Sequence, residues 1–304
     1  MKNHLDMGKE RLLITGASSN LVQHLLDKLD SSKYHFIGIS RSLDRLKDIA
    51  LDEKLEGDIL DKVFIDDCVQ QSDVILHTAA VTHALKKQDY YAVNYDSTAY
   101  LVDAAKKNQV KRFVFISSRT AVEGSGAYGE SKLAAEKYIQ KNFDNWLIFQ
   151  PSEIFGLNKK EGIEKLIDDT LYKSNVFCPS GVESKMYPIH IDDCIDLTCQ
   201  FMEDPSCKNQ VITLNGSEGY SYEELIQAIS TAIQKQTRIV PIPKFVLQSA
   251  ASFIKLVGVK APIVPDQVPR LYSTKPISQL KYPYKSVIDY AKNLYVAKMG
   301  KVSV

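Results

Sequence analysis

The sequence predicts an α/β fold, a doubly wound parallel sheet with a smaller C-terminal lobe, on three observations. Short β-branched and apolar runs alternate with helix-length segments through the first half of the chain. Each run stops at a small or polar residue, and after Pro151 the alternation loosens. Strands separated by helices of this length pair in parallel and are covered on both faces. Ligands of such sheets sit beyond the carboxyl ends of the strands, so the residues at those ends are the candidates for chemistry.

Taken in order, Arg11 to Thr15 is a short apolar strand running into Gly16, and a helical run follows from Asn20 to Leu29. Tyr34 to Ile39 is a second strand, ended by Ser40-Arg41-Ser42. A brief extended piece precedes Asp58, and a helical stretch reaches Gln71. Val74 to His77 is a strand closed by Thr78-Ala79-Ala80. One long helix is expected from Asp89 to Asn108, then a strand from Arg112 to Ile116, a helix from Tyr128 to Lys141 and a strand from Trp146 to Phe149. Beyond Pro151 come a loop from Gly156 to Gly162, a helix from Ile163 to Lys173 and an extended piece from Met186 to Ile189. A helix from Asp192 to Glu203, a strand from Val211 to Leu214 and a helix from Ser221 to Lys235 precede a proline-punctuated tail from Pro241 to Pro283. The division expected is residues 1–155 for the sheet domain and 156–304 for the lobe, with some return of chain to the first domain.

With 304 residues the chain can bury a sizeable core. Lys and Arg number 38 against 37 Asp and Glu, a formal charge of +1, so no polyanion-binding surface is indicated and a small-molecule partner is expected. Five cysteines are scattered, odd in number and without CxxC spacing, which argues against a zinc site or a disulfide framework and for a reducing, cytoplasmic setting. The stretch MKNHLDMGKERLLITG holds no apolar core of signal-peptide length. Phe245 to Val259 is too short and too interrupted by polar residues to span a bilayer, and reads as an amphipathic helix used in core or subunit packing.

The chemistry is placed between Arg112 and Ile139. A strand ends in Ser117-Ser118, a loop of small residues follows, and Tyr128 and Lys132 stand four apart on a helix. That spacing puts both side chains on one face, about a turn apart. A free tyrosine has a pKa near ~10 and is a poor base at neutral pH, but an adjacent cation favours the phenolate. The pair can then exchange a proton with a substrate hydroxyl or carbonyl. Tyr and Lys at this spacing also occur as ordinary surface pairs; the order of segments around them is what favours chemistry.

Thr15-Gly16-Ala17-Ser18-Ser19-Asn20-Leu21-Val22 marks a strand giving way to a helix. A dinucleotide pyrophosphate uses the amides and dipole of such a helix N-terminus. The usual turn has three glycines; here Gly16 remains, with Ser19 and Val22 in the other two places. Ser19 is small and can donate to a phosphate, whereas Val22 is expected to push the helix outward. An acidic residue after the second strand suits the ribose of NAD, and an arginine suits a 2′-phosphate. Arg41 between Ser40 and Ser42 therefore favours NADP, with NAD still possible; a solvated arginine at a strand end is the plain alternative.

The chain resembles the extended short-chain dehydrogenase/reductase family, in its nucleotide-sugar epimerase, dehydratase and reductase branch. The motifs run from Leu12 to about Tyr290: TGASSNLV, GDI at Gly57, LHTAA at Leu76, Val93-Asn94, FISS with YGESK, QPSEIFG at Gln150, YPIHIDD at Tyr187 and LNGSEGYSYEEL at Leu214. The resemblance implies a Rossmann-type dinucleotide-binding domain and a smaller substrate-binding lobe. It implies an NAD(P)-dependent epimerase or 4-keto reductase acting on a UDP- or dTDP-linked sugar. Tyr128 would be the acid/base, Lys132 would tune it and bind the nicotinamide ribose, and Ser118 or Ser117 would orient the substrate oxygen. The cofactor would lie along Gly16, Ser18, Ser19, Asn20 and Leu21, then Arg41, Asp58 and Ile59, then Thr78, Ala79 and Ala80, with Asn94, Ser117, Lys132 and Pro151 completing the crevice. His190 and Asp192 belong to a motif for which a structural role is expected.

The chain departs from the family pattern at several positions. The loop before Tyr128 is short, so Thr120 or Ser125 can be the acting hydroxyl. Gln150 stands where an arginine is more usual, and Arg270 and Lys185 are diphosphate contacts or surface residues by position. A homodimer through the helices at Asp89–Asn108 and Tyr128–Lys141 is expected. The alternatives are a non-catalytic dinucleotide-binding sensor or assembly subunit, and a reductase of another carbonyl substrate.

Overall fold

The computed structural model describes residues 8–157, 161–257 and 265–299. Residues 1–7, residues 158–160 of the expected loop at Gly156, and residues 258 and 259 of the expected late helix lie outside the described residues. The chain divides into two compact units, one of residues 1–121, 127–150 and 195–212, the other of 122–126, 151–194 and 213–304.

The first unit is built on β1 (Glu10–Thr15), α1 (Asn20–Leu26), β2 (Tyr34–Ser40), β3 (Glu53–Glu56), α2 (Lys62–Gln70) and β4 (Val74–His77). It continues with α3 (Lys87–Tyr91), α4 (Ser97–Lys107), β5 (Arg112–Ile116), α5 (Gly126–Asn142) and β6 (Trp146–Pro151). The strand β10 (Gln210–Leu214) completes a seven-stranded sheet in the order β10-β6-β5-β4-β1-β2-β3. The pairs from β6 across to β3 are parallel. The chain runs outward from β1 to β2 and β3, then returns past β1 to β4, β5 and β6. That reversal leaves a crevice beyond the carboxyl ends of β1 and β4, where no helix can cross. β4 is buried at all four positions, which is why its apolar residues run consecutively instead of alternating.

The expected single helix from Asp89 to Asn108 is interrupted. Between α3 and α4, residues Ala92–Asp96 form a turn of π-helix. Widening the helix frees carbonyls, and side chains take them up: Ser97 Oγ donates to Val93 O at 2.6 Å and Thr98 Oγ1 to Asn94 O at 2.9 Å. Asn94, fully buried, accepts from Val81 N at 2.8 Å and donates to Val81 O and to Ser131 Oγ at 3.0 and 3.1 Å. One amide thus ties the turn after β4 to α5. Arg112 at the start of β5 donates to the Phe201, Asp204 and Cys207 carbonyls, tying that edge to the end of the helix Ile191–Glu203.

The second unit contains β7 (Ile154–Phe155), α6 (Gly162–Tyr172), β8 (Asn175–Pro179), β9 (Ile189–His190), α7 (Ile191–Glu203) and β10 (Gln210–Leu214), the last two of which pass into the first unit. It continues with α8 (Tyr222–Ala232), β11 (Arg238–Ile242), α9 (Lys244–Val257), α10 (Gln267–Tyr272) and α11 (Val287–Met299). Its core joins Ile163, Ile167 and Leu171 of α6 to Leu225 and Ile229 of α8, with Val287 and Ala291 of α11. Ser221 and Glu224 close a reciprocal capping box at the start of α8. β8 and β11 pair in parallel with Pro241 opposite Cys178; neither strand was expected. No helix among the described residues is long and apolar enough to cross a membrane.

Asn94→Ala should cost about 2–3 kcal/mol, since it strands the Val81 main-chain groups as well as removing three hydrogen bonds. Urea denaturation reads this directly; a loss under roughly 0.5 kcal/mol would mean that the amide is replaceable.

Candidate active site

A cleft of about 310 Å³ opens at the strand ends around the β1/β4 reversal. One wall is the turn after β1, with Gly16, Ser18 and Ser19. A second comes from the ends of β2 and β3, with Ser40, Arg41, Arg45, Asp58 and Ile59. The third is the turn after β4, with Thr78, Ala79 and Ala80.

Gly16 is required twice over. Its φ of +68° lies in the left-handed region, and a Cβ there would come within 2.8 Å of both Ala79 N and Thr78 Oγ1. The two turns are laced together at this point, since Thr78 Oγ1 donates to Thr15 O at 2.7 Å. Ser19 is the N-cap of α1, its oxygen accepting from Val22 N at 3.3 Å, which leaves its hydrogen for an outside acceptor. Val22, in the place of the third glycine, is fully buried. Asn20 and Leu21 open α1 and are not part of the lining. Asp58 accepts from Leu60 N at 3.0 Å, which shapes the turn that carries it.

The expected acid–base group sits on α5. Tyr128 is almost buried, its ring edge-on to Tyr90 with centroids 6.3 Å apart. Lys132, one turn on, is 1% exposed. Its Nζ donates to the Ile116 carbonyl at the end of β5, 2.7 Å away, and lies 4.0 Å from the centre of the Phe115 ring. Burial pushes its pKa down to about 7, and the Glu136 carboxylate opposes that fall. Ser118 Oγ and Thr120 Oγ1 are 2.9 Å apart. Ser125 is fully buried and donates to Val122 O at 2.6 Å. Ser117, Asn94 and Pro151 are buried and are not among the residues that line the cleft.

Three residues escaped the sequence reading. Arg45 joins Arg41 in the cleft because Leu43–Leu46 forms a 3-10 turn. Glu136 is buried on α5, four residues after Lys132, a spacing that could have revealed it. His77, fully buried on β4, stacks on Phe115 at 5.3 Å. Its Nδ1 lies 2.6 Å from Thr15 Oγ1 and its Nε2 2.8 Å from Thr98 Oγ1. Because Thr98 gives its only proton to Asn94 O, Nε2 is the donor and Nδ1 accepts from Thr15. Burial, with Lys132 nearby, holds this imidazole neutral, its pKa well below the usual range.

Within the second unit, Lys185 pairs with Glu224 at 3.0 Å and Arg270 with Asp266 at 2.5 Å, so both candidate diphosphate contacts face carboxylates. His190 accepts from Asp192 N at 3.1 Å, and its ring meets Phe155 and Tyr290 edge-on.

The model of the NAD dependent epimerase/dehydratase family matches residues 12–215. The NADH-ubiquinone oxidoreductase 40 kDa subunit of Neurospora crassa is 23% identical over 201 residues, 66% of this chain and 52% of that protein. UDP-glucose 4-epimerase of Vibrio cholerae is 26% identical over 204 residues, 58% of this chain and 61% of that one. The chain thus spans a little over half the length of these curated relatives. Among solved structures, the Bordetella bronchiseptica enzyme WbmG in complex with NAD superimposes with a TM-score of 0.69 over 96% of both chains, at 17% identity.

The depressed pKa of Lys132 means that the unfolded chain binds the extra proton between about pH 7 and pH 10. The protein should therefore gain stability relative to Lys132→Met as the pH rises through that window, by up to about 1.4 kcal/mol per pH unit. Denaturant melts of both proteins at several pH values test it; a constant difference would show that Lys132 keeps an ordinary pKa.

Proposed function

The chain belongs to the NAD dependent epimerase/dehydratase family, and from that membership we propose that it is an NAD(P)-dependent enzyme of a nucleotide-linked sugar, an epimerase or a 4-keto reductase. The observation that carries the reading is Lys132, buried one helical turn from Tyr128 with its Nζ on the Ile116 carbonyl. A surface pair would not bear the desolvation of that ammonium.

The cleft residues fit a dinucleotide. Gly16 makes a cradle that any side chain would fill, and Ser19 and the turn amides supply donors for a pyrophosphate. Arg41 and Arg45 stand beside Asp58 in the same lining, and two guanidinium groups suit a 2′-phosphate, which supports NADP over NAD. A bound nicotinamide supplies the hydride acceptor and donor. Tyr128 exchanges a proton with the sugar oxygen at the oxidised carbon, and the Lys132 charge favours its phenolate. Ser118 and Thr120, already bonded to each other, can reorient one hydroxyl to hold that oxygen. The second unit serves as the substrate lobe in this reading.

The subunit role named for the Neurospora relative and the single surviving turn glycine support a second reading, a dinucleotide-binding subunit without turnover. Titration with NADPH and NADH followed by assay on UDP-linked hexoses and their 4-keto forms separates the two; tight binding with no turnover on any of them favours the second.

Tyr128→Phe should lower kcat about 10²–10⁴-fold while NADPH still binds within a factor of about two, as read by nucleotide fluorescence; retained turnover would remove Tyr128 from the mechanism. Arg41→Ala should weaken NADPH about 10–100-fold and leave NADH unchanged, and equal losses for both would argue against the 2′-phosphate contact.

A further inference from the structure

The buried face of α5 carries a second ionisable group that the chemistry above does not use. Glu136 is 3% exposed, one turn beyond Lys132. Gln150 Nε2, on β6, donates to both of its oxygens, at 2.9 and 3.0 Å. The buried Ser117 hydroxyl lies near the carboxylate without closing a well-formed hydrogen bond.

Groups from three elements surround Lys132. From β5 come the Ile116 carbonyl and the Phe115 ring; from β4 comes His77, which is neutral. On α5 itself stand Tyr128, one turn before, and Glu136, one turn after. Glu136 is the group that opposes the desolvation of the ammonium. A carbonyl and an aromatic face favour a cation, but neither carries a full charge to set against burial.

We propose that Glu136 is a positioning residue whose carboxylate raises the proton affinity of the buried Lys132 amine, and that Gln150 makes this possible by holding the carboxylate without neutralising it. An arginine at 150 would take both oxygens in a bidentate pair and add a second cation to the cluster, drawing the carboxylate's field away from Lys132. An amide satisfies the same two oxygens and adds no charge. The set-point of the proton on Lys132, and through it of the phenol on Tyr128, is then a property of the Glu136–Lys132 pair. Burial raises the Glu136 pKa, against the Ser117 and Gln150 side chains and the Lys132 charge, which lower it. This inference rests on the acid–base reading of Tyr128 and Lys132 but is tested without turnover.

The test is a pH titration of the Lys132 side chain by NMR in full-length, ligand-free protein carrying 13C-labelled lysine, the resonance being assigned by its loss in Lys132→Met. Glu136→Gln should lower the midpoint by at least about one pH unit, a tenfold loss of proton affinity. Gln150→Arg should lower it in the same direction in a chain that keeps Glu136, and carries the test alone if Glu136→Gln does not fold. Glu136→Asp should return the midpoint toward that of the wild type, which a purely packing role would not require. A midpoint unmoved in the folded variants overturns the proposal. Movement of the midpoint in a protein that never turns over a sugar nucleotide would refute the enzymatic reading and leave this one standing.

Discussion

The constraint on which the site depends is the burial of one ammonium group against the carbonyl that ends β5. A lysine leaves water for the core only where donors and acceptors are placed to receive it. The Ile116 carbonyl does so here because the sheet stops at Ser117 and leaves that oxygen directed at α5. With Nζ seated there, α5 is tied to the end of β5. Tyr128, one turn earlier on the same helix, is positioned with it. The site is built on a strand end and a helix, both rigid elements, with loops supplying only the small hydroxyl residues.

A second set of bonds prevents the neighbouring layer from shifting. His77 connects Thr15 at the end of β1 to Thr98 on α4, and Thr98 passes its proton to the Asn94 carbonyl inside the π turn. The Asn94 side chain then reaches both Val81 and Ser131, and Ser131 donates to Tyr128 O at 2.8 Å. A continuous buried path therefore runs from the end of β1 to the helix that carries Tyr128. Each member is satisfied, which is the condition under which a polar network stabilises a core instead of weakening it.

The parts of this architecture that were legible in the sequence are those whose signal is local. Strands β4 and β5 were read to the residue because they are short runs of buried apolar side chains between turn residues. α5 was read from Tyr128 to Lys141, two residues after its start at Gly126 and one before its end at Asn142. The π turn was not legible: one extra residue within a helix leaves the composition unchanged, and its cause, the need of Asn94 to meet Val81, lies outside the segment. β11 was missed because Pro241 argues against a strand, although a two-stranded pair tolerates it; in β8 one of the exposed positions is the apolar Phe177, so the sequence does not show the alternation that its burial does. At the candidate site, Gly16, Arg41 and Asp58 were visible as residues at strand ends. Arg45 required knowing that the chain doubles back in a 3-10 turn, and His77 and Glu136 required knowing which side of the sheet each faces.

The two departures that most weakened the motif reading have a common physical explanation. A glycine is indispensable only where a backbone must adopt positive φ or approach another backbone closely, and in the first turn Gly16 meets both conditions at once. At the second place the requirement is for a small residue that can cap α1, which Ser19 satisfies through Val22 N. At the third, where a glycine permits close helix packing, Val22 is accommodated at full burial, so the sheet and helix meet around a side chain instead of around its absence. Gln150 follows the same logic: the position needs two donors for a buried carboxylate, and an amide directed at Glu136 supplies them. Each substitution keeps the local interaction and changes what surrounds it, and at Gln150 the quantity changed is charge, in the layer next to Lys132.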